Sequence, residues 1–232
     1  MKFEGKNAVY ELLNAGTTIN KLLVQKDETG KIVALAKQLG VKIQFVDKKV
    51  LDKESVTGKH QGYIATTVDF EYSELEDLLS KDGDKLVVVL DEINDPHNLG
   101  SIIRVCECAG VDGIVIGKNR QVQVNETVVR CSAGAISHVK IARVTNINHA
   151  IEQMKQQGMW VYCADMDGQS MYEANLTGNV ALVIGGEGNG VSRLTKSLCD
   201  GVISINLRGK VNSLNASVAC GIVVYEALRQ RG

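Results

Sequence analysis

Apolar positions along the chain follow two alternating rhythms, one near the 3.6-residue helical period and one that is strand-like. Near the start, Val9, Leu12 and Leu13 share one face of a helix predicted over 7–14. A strand is predicted over 19–25. Ile32, Leu35, Ala36 and Leu39 then mark a helix over 30–39, stopped by Gly40. Alternation over 41–46 predicts a strand, 48–55 a helix or turn, and the β-branched run 62–68 another strand. These elements make a compact α/β unit of roughly 70 residues, a plausible size for a small domain.

A second and longer α/β series begins at Lys85. The run 86–90 is wholly apolar, as a strand buried on both faces of a parallel sheet requires. Further strands are predicted over 113–116, 139–144, 160–164, 180–184 and 202–205. Helices are predicted over 98–109, 127–136, 147–157 and 214–229. Strict alternation of the two element types predicts a mostly parallel sheet covered by helices on both faces. The stretch 71–84 is acidic, with a short apolar patch at Leu75, Leu78 and Leu79, and it ends in Lys81-Asp82-Gly83-Asp84. It reads as a linker, dividing the chain into 1–70, 71–84 and 85–232. No internal repeat or low-complexity segment interrupts the pattern.

Charge adds a constraint. The net charge is −1, distributed as +4 over residues 1–60, −8 over 61–95 and +3 over 96–232. A strong non-specific nucleic-acid binder is more basic, so a role on RNA must rest on local patches and shape. The apolar runs fall short of the roughly 20 residues of a membrane span. The start, Met1-Lys2-Phe3-Glu4-Gly5-Lys6, lacks the apolar core of a secretory signal. Both point to a cytoplasmic protein with no membrane partner. Six cysteines (Cys106, Cys108, Cys131, Cys163, Cys199 and Cys220) form no C-x-x-C pair. They are expected as buried, reduced thiols rather than zinc ligands.

Three stretches could carry chemistry. In the first, Pro96, the only proline, stiffens the turn after the 86–90 strand, and Asn98 or a neighbour is placed to cap the next helix. Leu99, Ile102, Ile103, Cys106 and Ala109 share that helix's apolar face, with Arg104 roughly opposite. The second is the loop Gly185-Gly186-Glu187-Gly188-Asn189-Gly190, where glycines allow a ligand close to the backbone. It lacks the features of a P-loop or a dinucleotide fingerprint, which argues against a nucleotide-dependent oxidoreductase. The third runs from Arg208 to Asn215 into a nearly all-apolar helix with small residues at Ala216, Ser217, Ala219 and Gly221. Ser213 reads as its N-cap, whereas Asn215, expected just inside the helix, is harder to explain as one. Taken singly, these features also describe a solvated arginine, a plain turn and a simple cap.

Taken together, the three stretches resemble the three signature motifs of the SpoU/TrmH class of RNA ribose 2′-O-methyltransferases, across about 85–230. Residues 5–68, with His60-Gln61-Gly62, are similar to the L30e-like RNA-binding domain that precedes the catalytic domain in that class's 23S rRNA guanosine-2′-O-methyltransferases. The resemblance implies a SPOUT-type α/β fold with a trefoil knot, S-adenosyl-L-methionine as cofactor, a homodimer, and RNA, most specifically 23S rRNA, as substrate rather than DNA. It implies catalytic or site-organising roles for Asn98, Arg104, Glu187, Ser213 and Asn215. Cofactor contacts fall to Gly185, Gly186, Ile205, Leu207 and Leu214. A guanidinium is a poor base, so the implied role of Arg104 is to stabilise a developing alkoxide and to contact phosphate. One departure stands out: Ile205-Asn206-Leu207 occupies the place of the class's usual Ile-Pro-Met, removing a proline that stiffens the cofactor loop. Two other functions compete: a tRNA 2′-O-methyltransferase of the same class, and a non-catalytic RNA-binding dimer.

Overall fold

A computed structural model describes residues 1–67, 70–80, 82–188, 190–211 and 213–232. Val68 of the expected 62–68 strand, Asp69, Lys81 of the expected linker, Asn189 of the glycine loop and Asn212 lie outside the described residues. Two sheets organise the molecule. The first contains β1 (Lys2–Glu4), β2 (Ile19–Gln25), β3 (Ile43–Val46) and β4 (Tyr63–Thr67), in the order β1-β4-β2-β3. Only the β2–β3 pair is parallel. Side chains alternate faces along β2. Leu22 and Val24 pack with α1 (Lys6–Asn14) and α2 (Lys31–Gln38), while Leu23 meets Leu51 of α3 (Lys48–Glu54) on the other side.

The second sheet has six strands, all parallel: β5 (Leu86–Asp91), β6 (Gly113–Gly117), β7 (Ile141–Val144), β8 (Trp160–Ser170), β9 (Val180–Gly185) and β10 (Gly201–Ser204). Their order is β10-β8-β9-β5-β6-β7. Leu86, Val88 and Leu90 of central β5 enter the core shared with α5 (Pro96–Cys108) and α9 (Ala216–Arg231). Val87 and Val89 enter the opposite core, under α4 (Leu75–Leu79) and α7 (Ile147–Gln156). This is the two-faced burial expected of a wholly apolar strand.

Several sequence expectations change. The acidic stretch 71–84 does not hang free. Leu75 and Leu78 of α4 are buried in the core of the second sheet, and Ser73 bridges Ala142 of β7. The apolar patch outweighs the surrounding charge, because the acids point to solvent while the leucines lose water contact. The helix expected over 127–136 breaks. α6 (Glu126–Cys131) ends before Ala133 and Gly134, both at positive φ, and a short 3-10 turn, Ala135–Ser137, follows. β8 continues to Ser170, beyond the expected end at 164, and α8 (Arg193–Leu198) was not foreseen at all. The thiols are all free, but Cys108 is exposed; only Cys106, Cys163 and Cys220 are fully buried. Among the described residues no helix is long and apolar enough to cross a membrane, and no cluster suits a metal ion.

Candidate active site

The C-terminal ends of β8, β9 and β5 lie side by side, and the sequence motifs converge there. Asp95, at the end of the turn after β5, caps α5 by accepting from the His97 backbone N–H at 2.9 Å, with Pro96 in the first helical position. This frees Asn98 from capping. Its side chain is buried and its Nδ2 donates to Glu187 Oε1 in a short hydrogen bond. Asn215 Nδ2 donates to Asn98 Oδ1 at 2.8 Å and to Glu187 Oε1 at 2.9 Å.

Asn215 also corrects the sequence reading of the third motif. It is the N-cap of α9, with Oδ1 accepting from the Ser217 N–H at 2.9 Å, the Val218 N–H at 3.3 Å and the Ser217 hydroxyl at 2.6 Å. The helix therefore starts at Ala216, and Ser213 precedes the cap. One amide does two jobs: its oxygen closes the helix start and its nitrogen ties α9 to α5 and the glycine loop.

The glycine loop is held by close backbone contact. A Cβ on Gly185 would sit 2.0 Å from the Gly190 carbonyl carbon, and one on Gly186 would sit 2.3 Å from the Glu92 carbonyl oxygen. Gly190 N–H donates back to Gly186 O at 2.9 Å, folding the loop on itself. Glu92 holds φ at 60°, an uncommon value for a non-glycine residue, and this turns its carbonyl toward Gly186. Asp91 secures the loop exit by accepting from the Ser192 N–H at 2.8 Å.

A cavity of about 390 Å³ opens beside this loop. Gly185, Gly186, Glu187, Ile205, Leu207, Ser213 and Leu214 line it, so all five predicted cofactor contacts and two of the five predicted catalytic residues share one space. Asn98 and Asn215 stand behind its wall, linked through Glu187. Arg104 does not join them. Six residues from Asn98 on one helix is about 9 Å of rise and an azimuth roughly 120° away. Arg104 is exposed and lines a different cleft, between α5, α6 and α1.

The sequence reading missed Asp165, Met166 and Asp167, which also line the cavity. Between Cys163 and Gln169, β8 loops away from β10: Val202 pairs with Cys163, but the next residue, Ile203, pairs with Gln169. Gly168 permits the return, since a Cβ there would sit 2.6 Å from the backbone of Val202 and Ile203. Lys196 of α8 pins the loop through Asp165 at 3.1 Å and Asp167 at 3.4 Å. Burial works against the Lys196 charge, yet the two carboxylates outweigh it and hold its pKa above the usual lysine value. The available signal is positional: a strand ending beside a glycine loop in a parallel sheet sits where ligands bind in such sheets, at the carboxyl ends of the strands.

Residues 85–225 match the family model described as the SpoU rRNA Methylase family. The chain belongs to that family. Residues 3–73 match a second model, described as RNA 2′-O ribose methyltransferase substrate binding. YacO of Bacillus subtilis (strain 168), assigned to the TrmH family of tRNA/rRNA methyltransferases, is 44% identical over 98% of this chain and 94% of its own length. An AdoMet-bound rRNA methyltransferase from Sinorhizobium meliloti superimposes with a TM-score of 0.76 at 26% identity, covering 98% of this chain and 87% of that one. The SpoU methyltransferase AviRb from Streptomyces viridochromogenes, in complex with AdoMet, shares the fold at a TM-score of 0.82 and 22% identity, with 99% and 89% covered. The SpoU methylase model thus spans the six-stranded parallel sheet and the crevice at its edge, while the substrate-binding model spans the four-stranded unit.

Proposed function

We propose that this SpoU-family chain methylates a ribose 2′-hydroxyl of RNA, with S-adenosylmethionine as methyl donor and a guanosine of 23S rRNA as the target. The observation that carries the reading is the hydrogen-bonded cluster Asn98–Glu187–Asn215, built from three distant segments at the wall of a cavity at the parallel-sheet edge. The cavity suits the cofactor chemically. Ile184, Ile205, Leu207, Leu214 and Ala216 offer apolar surface for an adenine ring and the methylene groups flanking the sulfonium. Asp165, Asp167 and Glu187 offer carboxylates to a ligand with two positive centres, a sulfonium and an ammonium, offset only in part by Lys196. When bound, the cofactor supplies a methyl group already activated by a positive sulfur.

The protein's own task is to position the ribose and manage the hydroxyl proton. Glu187 fixes the rim of the cavity because both its amide partners are themselves anchored, Asn98 in α5 and Asn215 at the cap of α9. Ser213, exposed at the cavity mouth, is placed to meet the substrate. Arg104 stabilises the developing alkoxide and contacts phosphate. Its position on the far side of α5 means that the substrate, or a second copy of the chain, completes the site. A homodimer is supported by α9, which is apolar nearly all round and leaves Val218 and Tyr225 49% exposed. RNA as the substrate is supported by the first α/β unit and its substrate-binding family match, and rRNA rather than tRNA is the choice to be tested.

Mapping 2′-O-methyl sites in rRNA and tRNA from cells with and without the gene tests the substrate. Loss of one 23S guanosine mark supports the reading; loss of a tRNA mark replaces the target, and no loss favours a non-catalytic RNA-binding dimer. Arg104→Lys tests the mechanism. It keeps the charge but loses the planar fork, so methyl transfer should fall about 100-fold, the scale of a lost oxyanion donor, with cofactor affinity unchanged. Near-normal transfer would remove Arg104 from the mechanism.

A further inference from the structure

A cleft of about 810 Å³ lies between the two α/β units, apart from the cofactor cavity. Its first wall is α1, which presents Tyr10, Glu11 and Asn14. Its second wall is α5, α6 and the 3-10 turn, which present Arg104, Glu107, Arg130 and His138. Phe3 and Val129 join the two walls at the bottom, Val129 being packed against the core of the first unit.

We propose that this cleft holds an unpaired stretch of the RNA substrate, with one base stacked on Tyr10 and the backbone drawn along Arg104 and Arg130. The inference rests on the reading above and adds where the strand runs. Three features favour single-stranded RNA. The cleft mixes one half-exposed aromatic ring with two arginines and a histidine, the set that takes splayed bases and phosphates together. Glu11 and Glu107 interrupt the positive surface, which disfavours a continuous phosphate track and leaves acceptors for the amino edges of bases. Arg104, the one predicted catalytic residue that lies away from the cofactor cavity and its Asn98–Glu187–Asn215 wall, lies here, so a strand in the cleft passes the group meant to act on its ribose.

The turn that forms the second wall is built for the position. Ala133 and Gly134 adopt positive φ and end α6, so the chain doubles back and brings Ser137 and His138 to the rim. Tyr10 and Arg130 project from helices whose buried sides hold Val9, Leu12, Leu13 and Val128, so replacing either exposed side chain leaves the core intact.

The test is RNA-concentration dependence of methyl transfer by the full chain. Tyr10→Ala should raise KM for RNA about tenfold, as loss of one stacked base does, with kcat and S-adenosylmethionine affinity unchanged. Tyr10→Phe should restore wild-type KM. Arg130→Ala should reduce the salt slope of RNA binding by about one. Cys108, exposed in the cleft, should react with an alkylating reagent in the free enzyme and be shielded by RNA, as read by peptide mass mapping. Unchanged KM in Tyr10→Ala together with an unchanged salt slope in Arg130→Ala would overturn the proposal. Cys108 already shielded without RNA would also overturn it, because a second copy of the chain would then fill the cleft. Methyl transfer to RNA by the unaltered enzyme is the separate check on the function itself; its absence sinks that reading, whereas the variant results bear only on the cleft.

Discussion

Two polar clusters, one in each α/β unit, arise from sequence motifs of similar appearance and do different work. In the first unit, His60-Gln61-Gly62 closes a loop onto itself. Gly62 N–H donates to His60 Nδ1 at 3.1 Å, so the ring carries its proton on Nε2 and donates it to Asp52 at 2.9 Å. Gln61 Oε1 accepts from the Lys6 N–H at the start of α1. Glu4 takes the Val56 and Thr57 N–H groups and the Ser55 and Thr57 hydroxyls. Each of these groups satisfies the backbone or a side chain of its own unit, and none lines the cofactor cavity. In the second unit, Asn98, Glu187 and Asn215 bond one another across 89, 28 and 117 residues of sequence, beside an open cavity. A motif whose partners are its own backbone holds a fold. A motif whose partners are other motifs builds a site.

The largest expected effect breaks the second cluster. Glu187→Ala leaves two amide donors, one on a buried residue, without their acceptor, at a cost of about 1–3 kcal/mol. It also frees the rim of the cofactor cavity. Methyl transfer should fall about 100-fold or more in single-turnover assays, with weakened S-adenosylmethionine binding by calorimetry. Retained activity would reduce the cluster to the same structural role as the His60 loop. Gly185→Ala comes next. The new methyl group would overlap the Gly190 backbone, so the loop cannot close, and cofactor affinity should drop at least tenfold while the sheet core stays folded. Circular dichroism with an unchanged spectrum separates this from global unfolding.

The same contrast explains what was legible in the sequence. Element types were readable wherever apolar periodicity was strong. β2 was placed to the residue, and α7 to within one, because Ala150, Ile151 and Met154 mark its buried face clearly. α8 was missed because six residues with one buried side chain carry too little periodicity. The end of β8 is not legible because residues 164–168 loop away from β10 before Gln169 and Ser170 rejoin it, so burial no longer alternates. The motifs identified the glycine loop and the two asparagines, but not which of them cap and which bridge. That depends on the helix starting at Ala216, a boundary set by the Asn215 side chain itself. The placement of Arg104 in the cleft between units depends on how α1 docks against α6, and no local pattern encodes this.

A smaller effect tests the first cluster from the stability side. His60 is 5% exposed, and His60→Ala strands the Gly62 N–H and removes the donor to the Asp52 carboxylate. Denaturant unfolding should show a loss of about 2 kcal/mol, with methyl transfer per folded molecule unchanged. A specific loss of transfer without loss of stability would place His60 in substrate handling and erase the contrast between the clusters.

The smallest effect is one of pH. Burial pushes the Glu4 carboxyl up, but the Ser55, Thr57 and Val56 donors outweigh it and bring its pKa to about 2 from the usual 4.5. The folded protein therefore holds its protons less tightly at this site than the unfolded chain does. The stability Glu4 contributes is complete above about pH 4.5 and is lost as the pH falls toward 2. Glu4→Gln should be less stable than the parent at neutral pH, and the gap should close on acidification over that window. The Asn98–Glu187–Asn215 cluster offers Glu187 neutral amide donors where Glu4 receives hydroxyls and backbone amides. A stability gap for Glu4→Gln that stays constant from pH 5 to pH 2 would show that the carboxylate's charge contributes nothing, and that shape alone holds the 55–58 loop.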